Sequence, residues 1–129
     1  MASSRGKTVL LVALLVGGSC GALAAPYLTG TDLEKSLIGK TLSSTTKRDI
    51  PYTITFTSAK VGTYSIWLSG VSGKRDDSDL DLSFTNESVC FQSAKYRFQE
   101  CNKVIMDGGK YNFVDIKTGA INNVYNVVH

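Results

Sequence analysis

The sequence predicts an α+β domain, mostly β: a short N-terminal helix packed on an antiparallel barrel-like or sandwich sheet of about seven strands. Three observations predict it. Short stretches alternate apolar and polar residues with a period of two, as half-buried strands do. Glycine-containing turn signals separate them at intervals of about eight to twelve residues. Near the start, one two-turn segment carries its apolar residues at helical spacing instead.

The helix is expected over residues 29–39, "TGTDLEKSLIG". Thr31 and Glu34 have the spacing of a capping box, in which hydroxyl and carboxylate satisfy each other's backbone donors. Leu33 and Leu37 share one face, joined by Ile38, and Gly39 suits the left-handed stop position. So short a helix is not stable alone, and its apolar stripe must dock on something.

Strands follow. In "PYTITFT", Tyr52, Ile54 and Phe56 alternate with Thr53, Thr55 and Thr57. "GTYSIWLSG" places Tyr64, Ile66 and Leu68 on one face and Trp67 on the other. "DSDLDLSF" sets Leu80, Leu82 and Phe84 inward against Asp79, Asp81 and Ser83 outward. "SVCFQ" and "YRFQECNKVIM" come next, then the turn Asp107-Gly108-Gly109, where glycine reaches positive φ without penalty. "KYNFVDI", a turn at Lys117-Thr118-Gly119 and a last strand in "NNVYNVVH" complete the pattern. Ser69 to Ser78, "SGVSGKRDDS", reads as a charged loop.

Ahead of the domain, Arg5 and Lys7 precede the apolar run Thr8 to Val16, and small residues end at Ala22-Leu23-Ala24. This is the layout of a secretory signal peptide. The run is about half the roughly twenty residues that span a bilayer. Cleavage after Ala24 is preferred, since cutting after Ala25 would leave Pro26 at the new terminus. Lipidation of Cys20 is disfavoured, because Gly17 stands three residues earlier, where such signals carry a Leu-like side chain. Residues 1–24 are therefore expected to be signal peptide and 25–129 a single secreted β-rich domain. The protein is expected in the periplasm or outside the cell, with no stable membrane anchor after cleavage.

Removal of Arg5 and Lys7 takes the basic residues from 14 to 12 against 11 acidic ones, so the formal charge falls from +3 to +1. A charge that small gives no strong pull toward nucleic acid or acidic membranes. Cys20 leaves with the leader, and Cys90 and Cys101 remain. Two cysteines in an oxidising compartment most often form one disulfide. A metal site needs two further ligands, yet the only histidine is His129, the last residue. A redox pair needs two residues between its cysteines, where this chain has ten. A regular hairpin with Cys90 opposite Cys101 pairs Phe91 with Glu100 and Gln92 with Gln99. It points Phe91, Tyr96 and Phe98 toward the core.

Motifs with chemical content are weak. Asp77, Asp79 and Asp81 alternate as at the start of a calcium loop, but Leu82 and Ser88 stand where the turn glycine and bidentate glutamate belong. Gly70 to Lys74 is a fragment of a phosphate loop with the wrong glycine spacing. Lys95 to Phe98, with Lys103, Lys110 and Tyr111, interleaves cations with rings as single-strand-binding platforms do, a pattern that core and surface alternation also produces. Nucleophilic catalysis lacks a histidine partner. Paired-carboxylate hydrolysis could draw on Asp79, Asp81, Glu87, Glu100 and Asp115. Asn86-Glu87-Ser88 is a glycosylation acceptor triplet.

Read in order, "LIGKTL", "ITFTSAKVGTYS", "VCF" and "CNKVIMDGGKYNFVD" resemble a family of small exported proteins of Gram-negative bacteria that forms a domain of unknown function. The resemblance covers most of residues 30–119. It implies a compact periplasmic or secreted β-rich domain with one disulfide, and it transfers no catalytic residue. This chain lacks the family's Gly-Thr-Trp-like segment before the first cysteine.

The function expected from the sequence is non-enzymatic binding of a protein, glycan or small ligand, with no nucleic acid, cofactor or metal. The loop residues Gly70, Ser72, Lys74, Arg75, Asp76 and Asp77, and Lys95 at a hairpin tip, are the candidate contacts. The alternatives are an inhibitor of a lysozyme or protease that inserts a protruding loop, and a carboxylate-based hydrolase.

Overall fold

The computed structural model describes residues 26–68 and 74–129; the expected leader lies outside them. One helix, α1 (Gly30–Leu37), precedes eight strands. These are β1 (Thr41–Thr45), β2 (Pro51–Phe56), β3 (Val61–Trp67), β4 (Arg75–Phe84), β5 (Val89–Ser93), β6 (Phe98–Asp107), β7 (Lys110–Asp115) and β8 (Ile121–Val127). Each pairs antiparallel with the next, and β1 pairs with β8, so the sheet closes into an up-and-down barrel rather than a sandwich. Closure leaves no free sheet edge to cover.

The alternation fixes which side chains enter the bore. Tyr52, Ile54 and Phe56 are buried on β2, Tyr64 and Ile66 on β3, and Leu80 and Leu82 on β4. Trp67 faces outward, where Arg75 lies 5.9 Å over its ring. Leu68 lies past the end of β3 and is exposed, not in the core. Cys90 and Cys101 are cross-strand partners joined as a disulfide, and Phe91 opposes Glu100 and Gln92 opposes Gln99, the register a regular hairpin gives. Gly108 and Gly109 both take positive φ in the two-residue turn between β6 and β7.

Three further expectations are corrected. The eighth strand is β1, whose "TLSST" offers a single apolar residue, Leu42, and so carries little period-two signal. The helix begins two residues earlier than the capping box implies: Thr29 is its N-cap and makes no side-chain cap hydrogen bond, so Thr31 and Glu34 do not act as a box. The charged loop is shorter than Ser69 to Ser78, because Arg75, Asp76, Asp77 and Ser78 belong to β4, opposite Trp67, Ile66, Ser65 and Tyr64.

Helix α1 stoppers one end of the barrel. Leu33 and Leu37, four residues apart on one face, are both 0% exposed and pack into the core with Leu42, Phe56, Val89 and Val104. The Tyr111 hydroxyl on β7 donates to the Ser36 carbonyl at 2.7 Å. Backbone bonds tie both flanks of the helix: Gly30 N–H to Asn86 O at 2.7 Å and Gly39 N–H to Phe56 O at 2.6 Å. Gly39 has φ 87°, the left-handed stop that turns the chain into β1. Asn86 lies in the β4–β5 connection, on the same barrel end as the β2–β3 and β6–β7 turns. The opposite end carries the β1–β2, β5–β6 and β7–β8 connections, the end of β3 and the start of β4.

If the leucines are the stopper, truncating one leaves a cavity in a closed bore. Leu37→Ala is expected to lower the unfolding free energy by about 2–5 kcal/mol. Ile121→Ala, at a side chain 57% exposed, should change it by no more than about 0.5 kcal/mol. Urea unfolding of both variants checks the difference.

Candidate functional site

The open end of the barrel carries a cavity of about 490 Å³, bounded by Thr45, Thr46 and Lys47, by Tyr52, Tyr64 and Phe98, and by Glu100, Asp115, Asn122 and Asn123. Its volume falls within the range of small-molecule pockets. Strand splaying makes the room. The β1–β8 ladder pairs only Leu42 with Val127 and Ser43 with Asn126, both toward the stoppered end. The β6–β7 ladder stops at Asn102 and Asp115, leaving the first four residues of β6 without β7 partners. A register shift between Phe113 and Val114 displaces the start of β8. The walls of the open end therefore part on both flanks of β7 and β8.

Below the cavity the bore is closed by a ring of aromatic side chains. Tyr52 meets Tyr64 at 5.4 Å between centroids, Tyr64 meets Phe98 at 5.2 Å, and Phe98 meets Phe91 at 6.2 Å. Phe91 meets Phe113 at 6.2 Å, Phe113 meets Tyr125 at 4.7 Å, and Tyr125 returns to Tyr52 at 6.0 Å. Tilted and edge-on geometries of this kind are the favoured ones for paired rings. The Tyr52 and Tyr125 hydroxyls hydrogen-bond at 3.0 Å.

Glu100 is the unexpected member of this ring. Opposite Phe91, on the inward parity of β6 with Phe98 and Val104, it brings a carboxylate into the bore. Asn102 Nδ2 donates to Glu100 Oε2 at 2.9 Å. Asn102 is 0% exposed, and its Oδ1 accepts from Asn122 Nδ2 at 2.7 Å, so this amide has both of its polar ends fixed. None of the ion pairs among the described residues involves Glu100.

Burial raises the tyrosines of the ring. It pushes Tyr64 up to about 12, helped by Tyr52, Tyr96 and Glu100. Burial also raises Tyr52 and, well beyond the usual phenol range, Tyr125, with Glu100 acting in the same direction on both. Asp115 is a different kind of acid. Its Oδ1 accepts from the Lys117 and Thr118 backbone N–H groups at 2.7 and 3.0 Å, which caps the β7–β8 turn and holds the carboxyl below its ordinary value.

The candidate contacts Lys74, Arg75, Asp76, Asp77 and Lys95 sit around the same open end. Gly70 and Ser72 lie outside the described residues. Lys74 is exposed beside the start of β4, and Arg75 pairs with Asp77 at 3.0 Å on the outer face. Asp76 is joined to the β5–β6 turn: Lys95 Nζ approaches its two oxygens at 2.8 and 2.7 Å, and the Tyr96 hydroxyl donates to Oδ2. Hydrogen bonds from Lys95 and Tyr96 lower the Asp76 carboxyl, and the bond to Asp76 pushes Tyr96 up to about 12. Tyr96 then stacks edge-on against Tyr64 at 5.3 Å. Two of the expected contacts, Asp76 and Lys95, are thus paired with each other, and neither lines the cavity.

Tyr52, Tyr64, Glu100, Asn122 and Asn123 form the cavity and were absent from the expected contacts. The hairpin register already placed Glu100 on the core face, and a carboxylate on that parity was the available signal. Asp79, Asp81 and Glu87, counted as candidate acids, are all exposed, as is Asp77, which answers the alternating calcium pattern with an outward strand face. Among the described residues no group of three or more His, Cys, Asp or Glu side chains is placed to hold a metal ion.

Fold and site together define a class: an eight-stranded antiparallel barrel stoppered by a helix at one end and open to a polar, aromatic-floored cavity at the other. No protein-family model, curated protein or solved structure matches the chain.

The tyrosines supply a test of this geometry. Five of the six are held above the ordinary phenol value. Above about pH 10 the unfolded chain loses phenolic protons that the folded chain keeps, so stability is full below that pH and falls as pH rises toward 12 and beyond. Phenolate absorbance should show these five phenols titrating late, with unfolding. Six tyrosines titrating together near 10 in a folded protein would contradict the buried ring.

Proposed function

We propose that this chain is an exported, non-enzymatic binding protein whose small ligand enters the open mouth of the barrel. The observation that carries the reading is the cavity itself: a floor of packed rings under a wall of hydrogen-bonding groups, on a scaffold whose other end is filled. Ligand sites favour such concave places, mostly apolar with a few fixed polar groups, and the mouths of barrels are among their commonest positions. Asn102, Asn122 and Glu100 are positioned by one another before any ligand arrives, which reduces the ordering cost of binding. The signal-peptide pattern of residues 1–24 and the Cys90–Cys101 disulfide support export. The resemblance to small exported proteins of Gram-negative bacteria points the same way.

Carboxylate-based hydrolysis, the second reading, is favoured by one observation: Glu100 and Asp115 border the same cavity. Asp115, however, is committed to two backbone N–H groups of its own turn. That leaves one uncommitted acid where glycoside hydrolysis ordinarily uses two.

The binding reading is tested by titrating isotope-labelled protein with a panel of small sugars, organic ions and fatty acids while following backbone amide resonances. Shifts should cluster at Thr45, Thr46, Glu100, Asn122 and Asn123. Asn123→Trp, which fills the mouth, should abolish them while the remaining spectrum keeps its dispersion. Shifts confined to the outer strand faces, or undiminished in the Asn123→Trp protein, would count against the mouth as the site.

A further inference from the structure

We propose that the ligand of this mouth is an organic ammonium ion, its charge held by the Glu100 carboxylate among the rings of Tyr52, Tyr64 and Phe98. The inference rests on the binding reading above and adds the ligand's chemistry to it.

Glu100 is the reason. Glu100 is half-buried, and its carboxylate borders the cavity beside three aromatic rings, where one cation can meet both. Here one oxygen takes an amide hydrogen bond from Asn102, and none of the ion pairs among the described residues reaches the group. Among the cations of this end, Lys95 is paired with Asp76 and Arg75 with Asp77, Lys47 stands on the β1–β2 turn at the rim, and Lys117 borders a neighbouring groove with Glu100 and Asp115. The other cavity acid, Asp115, adds a second negative charge from the neighbouring strand β7. An anionic ligand would meet both acids. A purely apolar one would make no use of the Glu100 charge.

A cation satisfies the same set. The π faces of tyrosine and phenylalanine attract ammonium groups, most strongly where water is excluded, and aromatic enclosures are a recurrent means of holding quaternary ammonium ions. Tyr52 and Tyr64 border the cavity together with Glu100, and both hydroxyls can also accept from a primary ammonium. Lys47 sets the polarity of the site from the outside. It disfavours positive charge at the rim, so a ligand enters with its ammonium end inward.

The test uses the full chain expressed with its leader and purified as the cell processes it. Choline and butylammonium are titrated against their uncharged counterparts, 3,3-dimethylbutan-1-ol and butan-1-ol, by calorimetry and by amide shifts. The ammonium ions should bind at the mouth at least about tenfold more tightly than the alcohols, as a charge-assisted contact predicts. Glu100→Gln should weaken ammonium binding about ten- to hundredfold and leave the alcohols unaffected. Asp81→Asn, on the outer face of β4, should change neither. Should Glu100→Gln unfold, the side-chain carboxyl carbon resonance of Glu100 in the unsubstituted protein gives the same answer. It moves on adding choline if the ion sits on it, and an unmoved resonance overturns the proposal. If alcohols or glucose shift the mouth amides as strongly as the ammonium ions, the cation is wrong and the binding mouth stands. If no probe in the wider panel shifts them, both fall.

Discussion

A closed eight-stranded barrel has a bore just wide enough to be filled by side chains, and everything else in this molecule follows from filling it unequally. At one end the fill is complete: Leu33 and Leu37 of the helix enter among Leu42, Phe56, Val89 and Val104 with no exposure. At the other, the fill stops at a ring of six aromatic residues, and the strands part above it. The helix is too short to persist by itself. Its stability is the stability of the contact it makes as a stopper.

The disulfide belongs to this logic although it lies outside the bore. Cys90 and Cys101 are adjacent to Phe91 and Glu100, which oppose each other one position further along the ladder. Slipping the β5–β6 register by one residue would put Phe91 and Glu100 on opposite faces, turning one of them out of the bore, because side chains alternate with a strict period of two. A covalent bond at the neighbouring pair forbids that slip. The bridge thus fixes both the stability of a small domain and the aim of Glu100. Asn102 completes the arrangement by presenting its donor to Glu100 and its acceptor to Asn122. A buried polar network is tolerable only when its members satisfy one another, and here the unfinished part is the face of Glu100 that looks into the mouth.

Much of the fold was legible in the sequence because the relevant physics is local. Period-two alternation in "PYTITFT" and "DSDLDLSF" showed which residues enter the bore. Gly108-Gly109 and Gly39 needed positive φ and have it. The pairing of Cys90 with Cys101 set a register that the barrel keeps. What was not legible depended on distant partners. "TLSST" reads as linker until β2 and β8 flank it. Thr29 outranks Thr31 as the helix cap because Gly30 is held by Asn86, a residue of the β4–β5 connection. The cavity draws on β1, β2, β3, β6, β7 and β8, and no single stretch contains more than a few of its residues. Attention to charged loops favoured Asp76 and Lys95, whose charges turn out to satisfy each other.

The central claim is that the barrel has one filled end and one open end, and solvent access measures that directly. A small neutral nitroxide added to isotope-labelled protein broadens the resonances of groups it can approach. The side-chain signals of Glu100, Asn122 and Asn123 should lose intensity, while the methyl signals of Leu33, Leu37 and Val104 keep theirs. Equal protection at both ends, or broadening of the leucine methyls with the mouth residues spared, would contradict the account.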